Sequence, residues 1–173
     1  MDLRFPVGEF KPEESYSEEQ QQLFLEQFEE APAKLRRAVE GLSEEQLDTP
    51  YRPGGWTVRQ VAHHLPDSHM NGMIRMKLAL TEDEPLIKTY MEDRWAELPD
   101  YKTDPGVSLS LLDAVHQRWV AVWRSLGPAE FGRKFRHPDW GTLTLQQLLA
   151  LYAWHGRHHV GHITSLRERE GWQ

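Results

Sequence analysis

The chain has 173 residues, 20 Lys and Arg against 27 Asp and Glu, a formal net charge of −7, nine His and no Cys. That length suits a single domain with a real core, the lack of cysteine removes disulfides and thiolate ligands, and the acidic balance argues against a nucleic-acid binder, which needs a basic face. No run approaches the roughly 20 apolar residues of a membrane span, and the opening MDLRFPVGEFKPEE lacks the basic-then-apolar order of a secretory signal, so a soluble cytoplasmic protein is expected.

Residues 1–16 hold Pro6, Gly8 and Pro12 and read as an irregular arm packed on the domain. Ser17-Glu18-Glu19-Gln20 is a capping-box pattern, and behind it Phe24, Phe28, Ala31, Leu35, Ala38 and Leu42 keep a helical period. Pro32 interrupts that run, so the spacing predicts one long helix kinked at the proline rather than a second start. A second box at Ser43, followed by Pro50, Pro53, Gly54 and Gly55, predicts one helical turn and a loop. Thr57-Val58-Arg59-Gln60 opens the next helix, expected to run through Val61, Leu65, Met73, Met76 and Leu80 with a local kink at Pro66.

Pro85, Pro99, Pro105 and Gly106 mark residues 81–107 as a long connection with at most a short helix. Within it Glu92, Asp93 and Trp95 suggest a lid, against the plainer reading of an acidic surface loop. Ser108 is expected to cap a helix carrying Leu112, Val115, Trp119, Val122 and Leu126, and Gly127-Pro128 to stop it. Residues 129–143 read as a turn or small hairpin. Thr144-Leu145-Gln146-Gln147 then opens a last helix through Leu148, Leu151, Tyr152, His155, His159 and Ile163. Four substantial helices with irregular connections predict an all-α bundle.

Four of the nine histidines, His155, His158, His159 and His162, fall within eight residues of that last helix. Residues four apart on a helix stand about 6 Å apart at Cβ, a spacing that suits two imidazoles on one metal. Geometry alone allows His155/His159 or His158/His162 as the pair. A second cluster, His63-His64-Leu65-Pro66-Asp67-Ser68-His69, lies on the helix opened by Thr57, which can bring one more imidazole across the bundle. Three neutral imidazoles with an open fourth side form a catalytic metal arrangement. With no cysteine, zinc, nickel, iron and manganese stay open, zinc or nickel expected first. Gly156 stands where the zinc proteases of the HExxH type carry their glutamate, so protease chemistry is not implied. Asp67, one turn from His64, is the candidate catalytic residue, as a general base or an orienter of a ligand. A Ser68-centred triad lacks a nucleophile elbow, and Arg59 and Arg157 are candidates to hold an anionic substrate, against the commoner role of solvated helix arginines.

The segments Pro53 to Asn71 and Trp154 to Ile163, together with Arg4-Phe5-Pro6-Val7-Gly8 and Thr164 to Arg169, resemble the DinB superfamily, in its YfiT-type group of candidate metal-dependent hydrolases. The resemblance covers nearly the whole chain. It implies an up-down-down-up four-helix bundle with a long crossover connection, a homodimer, and a three-histidine divalent-metal site. Its ligands correspond here to His64, which directly precedes Leu65, and to the outer histidines of His155-x-x-x-His159, leaving His158 as a neighbour. Pro66 departs from the small residue expected at that place. The activity it implies is hydrolysis of a small molecule by activated water, with two other expectations beside it: a thiol S-transferase using a low-molecular-weight thiol such as bacillithiol, and a non-catalytic metal-binding bundle.

Overall fold

The computed structural model describes residues 2–172. Its helices are α1 (Glu18–Glu29), α2 (Ala31–Val39), α3 (Glu44–Leu47), α4 (Val58–Thr81), α5 (Glu92–Trp95), α6 (Pro105–Trp123), α7 (Pro128–Phe131) and α8 (Leu145–Glu170), with a 3₁₀ turn at Pro99–Lys102. Two short antiparallel strands, β1 (Lys134–His137) and β2 (Gly141–Thr144), form a hairpin between α7 and α8, with Phe135 opposite Leu143.

Local chemistry starts these helices. The side chains of Ser17, Ser43, Thr57 and Thr144 each accept from the backbone N–H three residues on, and the backbone N–H of each donates in return to the side-chain oxygen of Gln20, Gln46, Gln60 or Gln147. Two boundaries differ from the sequence expectation. The predicted kinked helix is two helices meeting at Glu30, because Pro32 sits in the first turn of α2, where its missing N–H has no partner to lose. The predicted cap Ser108 lies inside α6, which starts at Pro105 with Asp104 accepting from the Gly106 N–H. The Ser108 hydroxyl is instead 2.7 Å from His63 Nδ1. At Pro66 α4 runs on without a break, the proline ring buried.

Side-chain contacts fix the direction of each helix. His63 meets Ser108, His69 meets His116 and Met76 meets Trp119, so α4 and α6 run parallel. His64 approaches His159 while Ser68 approaches Tyr152, so α8 runs against α4. Arg124 pairs with Glu29 and Arg36 with Asp113, so α1 and α2 run against α6. The result is an up-down-down-up four-helix bundle, with α1 and α2 together as the first member and residues 82–104 as the crossover between the two parallel helices.

The apolar interior is split. One cluster joins Phe28, Met73, Met76, Trp119, Trp123, Leu148 and Tyr152, and the other joins Leu35, Val58, Val61, Leu65, Leu112, Ile163 and Leu166. Between them, on α4 and α8, lie the buried histidines His64, His69, His159 and His162. Gly156 permits the close approach of α2 to α8, since a Cβ at that position would stand 2.8 Å from the Ala31 Cβ. The arm lies along α8, with Trp154 Nε1 donating to Gly8 O at 2.9 Å and Gln147 Nε2 donating to Glu13 O at 2.8 Å. No helix of the described residues is long and apolar enough to cross a membrane.

Candidate metal centre

The helical spacing of α8 places His155 and His159 on one face, their ring centroids 4.5 Å apart, and the antiparallel α4 brings His64 between them. His64 Nε2 stands 3.2 Å from His155 Nε2. One ring nitrogen from each of the three lies within 4.8 Å of the others. Burial, then the neighbouring histidines, pushes His64 down to about 3 and holds His155 and His159 well below the ordinary imidazole range. All three are therefore neutral at pH 7, with a lone pair free on each ring. The Nδ1 atoms of His64 and His159 are buried without a hydrogen-bond partner among the described residues. Neutral imidazoles converging within reach of one point, with orphaned nitrogens, are a donor set that fits a divalent cation.

Behind His155 runs a chain of imidazoles. His155 Nδ1 is 3.3 Å from His69 Nε2, and His69 Nδ1 is 2.7 Å from His116 Nε2. Burial keeps His69 well below the ordinary range and lowers His116 to about 3, so each ring has a single N–H to give. For His155 to offer a bare Nε2, its proton must sit on Nδ1 and donate to His69, which in turn donates to His116. Phe28 stacks on both relay rings, at 5.8 Å from His69 and 4.1 Å from His116. His69 belongs to the α4 cluster read from the sequence, but His116 and its link to His69 across 47 residues escaped that reading; a histidine at an apolar-face position of α6 was the available signal.

The other spacing pair has a different setting. His162 Nε2 donates to Arg4 O at 3.0 Å and its ring stacks on Tyr51 at 3.8 Å. His158 stacks on Trp154 at 4.3 Å and faces Phe5 at 5.9 Å. One ring nitrogen each of His158, His159 and His162 also lies within 4.8 Å of the others, so this pair shares His159 with the first group.

All five of these α8 and α4 histidines, His64, His155, His158, His159 and His162, open on a cavity of about 610 Å³. Trp56, Trp140 and Trp154 give it aromatic walls, and Ser68, Arg75, Tyr90 and Tyr152 polar ones. Glu92 and Asp93 are exposed at its rim, whereas Trp95 packs at a tilt against Tyr90, ring centroids 4.5 Å apart. Asp67 is not among the lining residues: its Oδ2 accepts from the Tyr101 hydroxyl at 2.7 Å, tying the crossover to α4. Arg59 is buried and bonded to Asp48 and Glu44, and Arg157 donates to Ala153 O, so neither candidate anion holder faces the cavity.

The model of the DinB superfamily matches residues 27–163. The chain belongs to the DinB superfamily. Among curated relatives, the Bacillus subtilis protein YfiT is 54% identical over 174 residues, covering 99% of this chain and 98% of its own, and a Bacillus mycoides protein is 53% identical over 171 residues, covering 99% of each. Both are named as candidate metal-dependent hydrolases. The solved structure of Bacillus subtilis YfiT, described as having an unusual four-helix bundle topology, superposes with a TM-score of 0.96 over the full length of both chains. A second four-helix bundle protein, TT2238, matches at a TM-score of 0.58 and 19% identity over 84% of this chain and 98% of its own, which speaks to fold alone.

Proposed function

We propose that this DinB-superfamily chain is a metal-dependent hydrolase in which His64, His155 and His159 hold one divalent ion at the wall of the cavity. The observation that carries the reading is the convergence of three neutral imidazoles from two helices on a cavity large enough for a small substrate. The names of the relatives agree with it. An all-imidazole set suits zinc or nickel.

A divalent ion held this way supplies Lewis acidity at neutral pH, toward water and toward a polar substrate bond. The residues of the chain do the rest. The relay from His155 through His69 to His116 holds the Nδ1 proton of His155 and thereby aims its Nε2. Trp56, whose ring lies 4.6 Å from that of His64, and Trp154 keep the cavity walls apolar beside the imidazoles, which limits the water that reaches them. Nothing in the cavity singles out a sugar thiol, so the transferase alternative is an outcome of the same test.

That test is elemental analysis of the purified chain and of His64→Ala, paired with turnover of small ester, amide and phosphoester substrates with and without bacillithiol. The expected result is one zinc or nickel per parent chain, none in a His64→Ala chain that keeps its helical circular dichroism, and turnover that needs no thiol. Metal retained by His64→Ala, or turnover only with the thiol, overturns the reading.

A further inference from the structure

Two arginines line the cavity, Arg52 and Arg75, and neither pairs with a carboxylate among the described residues; Arg52 is bonded to Pro53 O and the Tyr51 hydroxyl, whereas Arg75 keeps a buried, unpartnered N–H. Arg75 lies on α4 eleven residues after His64, and eleven residues are close to three full helical turns, so His64 and Arg75 share one stripe. About 16 Å separates them along the axis, and a helical side chain leans toward the N-terminal end, here toward the imidazoles. The Arg75 Nε is buried without a hydrogen-bond partner, and one Nη donates to Lys88 O at 3.2 Å. Among the described residues no carboxylate pairs with it, in contrast to Arg59, whose guanidinium is held by Asp48 at 2.7 Å and Glu44 at 2.5 Å.

The neighbours of Arg75 are hydroxyls and a neutral ring rather than acids. Tyr90, from the crossover, and Tyr152, from α8, both lie in its field and beside Ser68, and His137 feels it as well. The Tyr152 hydroxyl donates to Ser68 O at 2.9 Å and turns its oxygen toward Arg75 as a neutral neighbour, and its ring stands 5.8 Å from that of His155. The wall therefore runs from imidazoles through Tyr152 to the guanidinium. The acids that share the cavity, Glu92, Asp93 and Asp139, are exposed at its mouth. An unpaired guanidinium with a desolvated N–H is costly, and a planar oxyanion is the partner its fork matches.

We propose that Arg75, with the Tyr90 hydroxyl beside it, anchors an anionic oxygen group of the substrate, a carboxylate or a phosphoryl group, at the end remote from the bond that is broken. The proposal takes the three-histidine centre as the reactive end, so it rests on the hydrolase reading; the anion site itself needs only the guanidinium.

The experiment titrates acetate, inorganic phosphate and neutral acetamide into the protein as purified and after chelation, with binding followed by calorimetry. The parent is expected to bind acetate or phosphate saturably in both preparations and acetamide in neither. The tighter of the two anions then names the carboxylate or the phosphoryl class. Arg75→Met should weaken that anion at least about tenfold in the chelated protein, and Arg75→Lys should fall between. Equal binding by a folded Arg75→Met chain, equal binding of acetamide, or saturation only in the unchelated protein and independent of Arg75 overturns the site. Failure of the hydrolase reading shows separately, in the metal content of His64→Ala, because the chelated titration does not involve metal.

Discussion

The last helix carries two histidine pairs of identical spacing, and the structure gives them different surroundings. His155 and His159 look across the bundle to His64 on α4, and His155 is backed by a buried imidazole relay. His158 and His162, also buried, look to the arm and to the loop before α4, where Arg4 O, Phe5 and Tyr51 meet them, and Trp154 of α8 itself stacks on His158. A four-residue repeat thus defines a pair but not its work; the element packed opposite does that.

The sharpest way to break the contrast is to delete one member of each pair. His155→Ala is expected to lose metal affinity by more than about a hundredfold, since even partners behind a ligand are worth 10- to 100-fold, while His158→Ala keeps one metal per chain; elemental analysis after dialysis separates them. Equal loss in both would shift the centre toward the group that shares His159. Next in size is the relay. His69→Leu preserves bulk but removes the acceptor for the His155 proton, and metal affinity should fall about 10- to 100-fold, whereas His162→Phe leaves affinity near the parent value in a competition titration with a chelating dye.

Acidification distinguishes interior from rim in another way. His116 is held to about 3 in the folded chain, chiefly by burial, against an unfolded value near 6.5. The unfolded state therefore takes up the proton first. Its contribution to stability is complete above about pH 6.5, declines by up to roughly 1.4 kcal/mol per pH unit below that, and stops falling near pH 3. Urea unfolding at pH 7, 6 and 5 should show a steeper decline than that, because the other buried histidines add to it, and the decline should be shallower in His116→Phe by up to the one-histidine amount. The smallest effect expected is at the helix crossing. Gly156→Ala gains roughly 1 kcal/mol of helix propensity but forces a methyl to 2.8 Å from Ala31, and overpacking costs about 1–3 kcal/mol. A net loss of about 1 kcal/mol in thermal unfolding, with metal content unchanged, would place the glycine in the packing alone.

Much of the bundle was legible because its signals are local. The boxes at Ser17, Ser43, Thr57 and Thr144 need only residues three apart, and each is present with both of its bonds. The start of α6 was misjudged because Ser108 looks like a cap until His63 is placed beside it, and Asp104-Pro105 does the capping. The same limit applied to charge. Arg59 and Arg157 were the arginines nearest the histidine motifs, but whether a guanidinium is free depends on Glu44, Asp48 and the fold between them. Arg75, with nothing in the sequence to mark it, faces the cavity.

The parallel course of α4 and α6 has one more consequence. After 24 residues of α4, roughly 36 Å of helix, the chain must travel back the length of the bundle before α6 can begin. That return is a topological debt, and the molecule turns it to use: Thr89, Tyr90, Glu92 and Asp93 on it form part of the cavity wall. Loop entropy grows only slowly with length, so this strip can be rewritten in sequence without touching the helices that carry the imidazoles. Part of the cavity wall is thus written on a stretch of chain separate from the helices that carry the imidazoles.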